Sequence, residues 1–169
     1  MVDERAAVVQ DAIDVAHRVV WATVATVDRL GRPRVRVLHP VWASGADGPE
    51  GWVTTRRTPV KVAHLARNPH LTCAYLAPDH DVAFFDCVAT WVEEPTARRR
   101  AWDAFLAVPP PAGYDPATIF PDGPDSASFA ALHLVPHRIQ VARGADLARG
   151  EAARLWSAAP ATPAAATGR

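Results

Sequence analysis

Two short turn sequences limit this fold more than anything else in the chain. Asp28-Arg29-Leu30-Gly31 separates an apolar run at 21–27 from an extended run at 34–42, and Pro78-Asp79-His80-Asp81 separates 71–76 from 82–92. Each has the residue chemistry of a tight hairpin between strands, so the strands it joins run antiparallel. No Gly-x-Gly-x-x-Gly or P-loop sequence occurs, which argues against a doubly wound nucleotide-binding sheet.

Helices punctuate the strands. Asp3 caps a helix reaching about Arg18, with Val8, Val9, Ala12, Ile13 and Ala16 on one stripe. A loop at 44–51 leads to a short strand at 52–55, and Thr58, Pro59 and Lys61 read as the N-cap, first position and first turn of a second helix ending near Asn68-Pro69. Pro95 opens a third, burying Ala101, Trp102, Phe105 and Leu106 and leaving Arg98-Arg99-Arg100 in water. Six prolines between 108 and 128 preclude a regular element there, which predicts a long ordered loop or a lid. The last strands are 129–135 and 138–142, with Pro136 between them. About six strands with short helices predict a mainly β (α+β) chain built as one small antiparallel barrel over 1–157. The Ala-, Pro- and Thr-rich segment 158–169 reads as a disordered tail.

Charge and cysteines narrow the partners. Lys+Arg and Asp+Glu balance at 18 each, which argues against nucleic acid or an anionic membrane as the main partner. No apolar run approaches the ~18 residues of a membrane span, and residues 1–18 are charged and amphipathic rather than a signal peptide. Cys73 and Cys87 sit inside apolar strand runs, as reduced thiols of a cytoplasmic protein would.

The residues suited to a ligand fall between 34 and 61. Arg34 and Arg36 share one face of an extended run, Thr54 and Thr55 end the next, and Pro59-Val60-Lys61 opens a helix. A helix N-terminus presents free N–H groups to an anion and a lysine there adds a full charge, so the pattern predicts a phosphate-binding corner. Read singly, the arginines and Lys61 serve equally as solvated residues and the threonines as ordinary strand formers. His39 reads as packed and His80 as turn chemistry. His133 and His137 lie on a strand broken by Pro136 and do not converge on a metal. No nucleophile arrangement emerges and no catalytic residue is assigned. Of six tryptophans, Trp42 and Trp52 flank the corner.

The succession Ala25-Thr26-Val27-Asp28-Arg29-Leu30-Gly31-Arg32-Pro33, Arg36-Val37-Leu38, Thr54-Thr55, Pro59-Val60-Lys61 and Asn68-Pro69-His70-Leu71 resembles the pyridoxamine-phosphate-oxidase-like proteins, which are flavin-binding split β-barrels. The likeness covers 20–92, with a weaker echo at 134–139. It implies an FMN-dependent oxidoreductase acting on a small molecule, and a homodimer with the cofactor in a groove between subunits. By the same likeness Arg36, Val37 and Leu38 contact the cofactor, Thr54 and Thr55 lie beside its phosphate or ring, and Pro59, Val60 and Lys61 form the helix start that holds the phosphate. The chain departs from the vitamin oxidase itself in three places. Val60 stands where that enzyme has a basic residue, His39-Pro40 follows the Arg-x-Val-Leu run, and no arginine-rich closing segment follows Arg138. A deazaflavin coenzyme in the same barrel is the competing expectation. So is a non-catalytic flavin or haem carrier, with His39, His64 or His137 as axial ligand.

Overall fold

The structure, a computed structural model, describes residues 3–159; the expected tail lies outside them except for Ala158 and Ala159. In chain order the elements are α1 (Glu4–Val19), β1 (Ala22–Val27), β2 (Pro33–Leu38), β3 (Pro40–Gly45), β4 (Gly48–Thr55), α2 (Pro59–Arg67), β5 (His70–Leu76), β6 (Val82–Trp91), α3 (Pro95–Ala107), β7 (Ala130–Ala142), α4 (Gly144–Ala148) and β8 (Arg154–Ser157). All strand pairs are antiparallel. Their order is β2-β1-β5-β6-β7-β4-β3, with β8 beside β7. Laid flat, seven strands would hold the two edges roughly 29 Å apart. Yet β2 and β3 are those edges, and only His39 separates them in sequence, a reach of ~7 Å. The sheet must therefore curl until its edges meet. The result is a split antiparallel barrel, unpaired between β2 and β3.

The chain's edges and turns explain where the sequence reading goes astray. The run 34–42 is two strands rather than one, because the chain crosses from one sheet edge to the other at His39. The segment 44–51 is not a loop: β3 and β4 continue to Gly45 and Gly48, which pair across a two-residue turn. Conversely, Pro136 does not break β7. Its missing N–H falls between the stretch paired to β4 and the stretch paired to β8, opposite a register shift in β6. The turn at Asp28 behaves as read: its carboxylate accepts the Leu30 and Arg32 amides, and Gly31 takes φ 76°.

Two apolar clusters fill the molecule. The larger joins the α1 stripe to Val24, Trp42, Phe85, Leu134 and Ile139 of the sheet. Gly51 lets β4 approach the Trp42 ring, since a Cβ there would sit 2.5 Å from it. The smaller joins α3 to Val41, Trp52, Phe120 and Phe129. The arginines of α3 are not simply in water. Arg98 donates to the Pro124 and Ser126 carbonyls and lies over Phe129, while Arg100 pairs with Glu50 above Trp52. The Arg98 contacts staple the proline-rich segment, which carries a 3-10 turn at Pro116–Thr118. Cys73 and Cys87 are buried free thiols.

Candidate functional site

Lys61 is the residue that identifies the corner. It lies in the first turn of α2 and is only 6% exposed, which is costly for an ammonium. Its Nζ donates to the Thr55 hydroxyl and, at 3.1 Å, to the Arg56 carbonyl, both neutral acceptors. Burial lowers its pKa and the positive charge of Arg36 lowers it further. Burial also lowers the pKa of Arg36. Among the described residues neither side chain has a carboxylate partner. Thr58 occupies the N-cap position but its side chain makes no capping bond, leaving the first-turn amides of α2 free. Two mutually repelling cations, a threonine and an uncapped helix start form a corner suited to an anion.

The other sequence-derived residues divide between two further surfaces. Pro59 and Val60 line a groove with Arg29, Arg32 and Arg34, two of which are paired to Asp28. Val37, Leu38 and Thr54 line a separate cleft of about 640 Å³. Alternation along β4 causes this split: Thr55 faces Lys61 while Thr54 faces Tyr114. Trp42 and Trp52 are buried at 2% and 4% exposure and border a separate hollow against α3 rather than the corner. The tryptophan on the wall of the cleft is Trp21, 60% exposed.

That cleft was missed in the sequence because four distant segments build it: 18–21, 37–39, Thr54 and the proline-rich segment. Its floor is aromatic. His39 lies 5.1 Å from both Trp21 and Tyr114 and 5.8 Å from Phe105. The carbonyl of Ala112 can only accept, so His39 Nε2 carries the proton and donates to it at 2.6 Å. Burial lowers the pKa of His39, outweighing that bond, and leaves it neutral at pH 7. Nearby His17 Nε2 accepts the Trp42 amide at 3.0 Å, which puts its proton on Nδ1. At the rim, Val20 has φ 72° and ψ −60°, and the Trp21 amide bonds back to the Val19 carbonyl at 2.9 Å. This is the rare, strained γ-turn, at a β-branched residue where it costs about 1–3 kcal/mol. No cluster of three or more metal-binding side chains occurs among the described residues.

No family model matches the sequence and no curated protein matches it. Solved structures do. A Clostridium acetobutylicum protein related to general stress protein 26 of B. subtilis, of the pyridoxinephosphate oxidase family, superposes with TM-score 0.66 at 13% identity, over 92% of this chain and 96% of that one. The chain has the pyridoxamine-phosphate-oxidase-like fold. A nimC/nimA family protein from the same organism gives TM-score 0.63 at 13% identity, covering 89% of this chain and 93% of that one. An F420 reductase gives 0.50 at 15% identity, covering 75% and 93%.

Proposed function

We propose that the protein is an FMN-dependent oxidoreductase that holds its cofactor by the phosphate and works on a small molecule as a homodimer. One observation carries the reading: Lys61 is buried, feels the repulsion of Arg36, and among the described residues neither has a carboxylate to neutralise it. A dianionic phosphate would supply the missing charge, the Arg36 fork binding two oxygens and Lys61 acting as a point charge. Thr55 and the free amides of α2 would add neutral donors, while the main chain of Val37 and Leu38 would border the edge of the ring at the mouth of the cleft and leave the cleft itself open. FMN, when bound, supplies hydride chemistry that the side chains do not. The chain's own part is to anchor, orient and exclude water, which fits the absence of an evident acid or base in the corner. The homodimer is supported by the exposed apolar side chains Val35 and Val37 on edge strand β2, at 63% and 62% exposure.

FMN titration with riboflavin alongside tests the reading. Riboflavin lacks the phosphate and is expected to bind at least about tenfold more weakly, since one charge-assisted bond is worth ~1.5–3 kcal/mol. Equal affinities would remove the phosphate corner from the reading. The fold is shared with an F420 reductase, so the deazaflavin coenzyme belongs in the same titration, and its tighter binding would replace FMN without altering the anchor. A visible spectrum with a haem band would displace both.

A further inference from the structure

We propose that the cleft between Trp21 and Tyr114 is the substrate site and that it takes a neutral, planar aromatic molecule. This rests on the flavin reading above and adds the substrate class. The cleft's size, about 640 Å³, lies within the range of small-molecule pockets. Trp21, Val37, Ile119 and Pro111 give it apolar walls, and the Trp21 indole stands 60% exposed among them. A large aromatic surface left open is informative where an isolated aliphatic one is not. The strained turn at Val20 fixes that indole at the rim, and strain of this kind collects at ligand sites.

Charge decides what the cleft admits. Among the described residues its one permanent cation, Arg18, is paired with Asp79 at 2.7 Å and Asp81 at 2.8 Å. His39 spends its only N–H on the Ala112 carbonyl. The free cations of the corner lie across β4, on the side of Thr55 rather than Thr54. An anionic substrate therefore finds no partner here. The Thr54 and Tyr114 hydroxyls bond each other, which uses one of their two protons and leaves the second for a carbonyl or hydroxyl oxygen on the ligand. Apolar walls with few hydrogen-bond donors and no unpaired cation describe a neutral aromatic carbonyl or phenol, and a phosphorylated vitamin does not fit that description.

Equilibrium dialysis with 2-naphthol and 2-naphthoate at pH 7 separates the possibilities, because the two probes share a ring system and differ in charge. The protein is expected to bind 2-naphthol at least about tenfold more tightly, both without cofactor and when saturated with FMN. Trp21→Ala and Ile119→Asp, checked for folding by circular dichroism, are each expected to weaken it by about tenfold. Arg36→Ala combined with Lys61→Ala should leave 2-naphthol binding unchanged, so failure of the phosphate corner shows in the FMN titration and not here. Equal or tighter binding of 2-naphthoate would overturn the proposal, as would unaltered 2-naphthol affinity in both cleft variants. Loss of 2-naphthol binding on saturation with FMN would assign the cleft to the cofactor ring and overturn it too.

Discussion

Replacing Lys61 with Met tests whether the corner was built for a ligand rather than for stability. Methionine keeps the unbranched stem and removes the ammonium. A lysine whose pKa is lowered on folding disfavours the folded state wherever it is charged. The unfolded chain then binds more protons, so stability rises with pH between the lowered folded value and about 10.4. Lys61→Met should abolish that rise. Two hydrogen bonds are lost, to Thr55 and the Arg56 carbonyl, but so is a buried uncompensated charge. The cofactor-free variant should therefore melt within a few degrees of wild type or slightly above it. Binding behaves oppositely. One charge-assisted bond at ~1.5–3 kcal/mol weakens FMN by about one to two decades. At a concentration one hundred times the wild-type Kd, FMN stabilises the wild type by ~2.7 kcal/mol, or about 5–11 °C for a domain of this size. The variant at the same concentration should gain ~0.3–1.4 kcal/mol, at most about half that shift. Paired melting curves with and without FMN read both effects. A variant that loses much stability alone, or keeps the full FMN-dependent shift, refutes a binding role for Lys61.

Arg36→Lys should restore only part of the FMN affinity lost in Arg36→Ala, because a point charge cannot bridge two phosphate oxygens; full recovery in a titration would mean that Arg36 contributes charge alone. Light scattering at micromolar concentration should return a dimer, and Val35→Asp should shift it toward 18.2 kDa, whereas a wild-type monomer removes the dimer from the proposal. Asp81 accepts bonds at 2.8 Å from Arg18, Arg143 and the Gly144 amide. Burial pushes its pKa up, yet the bonds from Arg143, Gly144 and Arg18 prevail and hold it down to about 2. Its stabilisation is thus complete above the unfolded value near ~3.9 and is lost as pH falls through the folded one. Asp81→Asn should lower Tm by roughly 3–12 °C at pH 7, from ~1.5–3 kcal/mol, and should flatten the decline between about pH 4 and pH 2.

What could be read in the sequence follows how far apart the cooperating residues lie. The hairpin at Asp28 was legible because its acceptors and donors sit within four residues, and the stripe of α1 because helical period encodes a face. The corner was legible for the same reason: Thr55, Arg56 and Lys61 fold back on one another across a single connection, and Arg36 approaches from β2. What makes the corner distinctive was not legible, since nothing local says that Lys61 is buried or lacks a counter-ion. Pro136 was misread because proline ends a strand only when its absent N–H is needed; here β4 stops and β8 starts around it. The cleft was beyond reach altogether. It exists because the sheet curls until β2 meets β3 at His39, bringing Trp21 and Leu38 beside a proline-rich segment far later in the chain. The same curl puts Thr54 and Thr55 at the boundary between the cleft and the corner. If the phosphate lies on the Thr55 side and the substrate on the Thr54 side, one strand end sets both the anchor and the approach of the reacting partners. The charge that holds a cofactor is then kept away from a neutral substrate by the period of two of a β-strand.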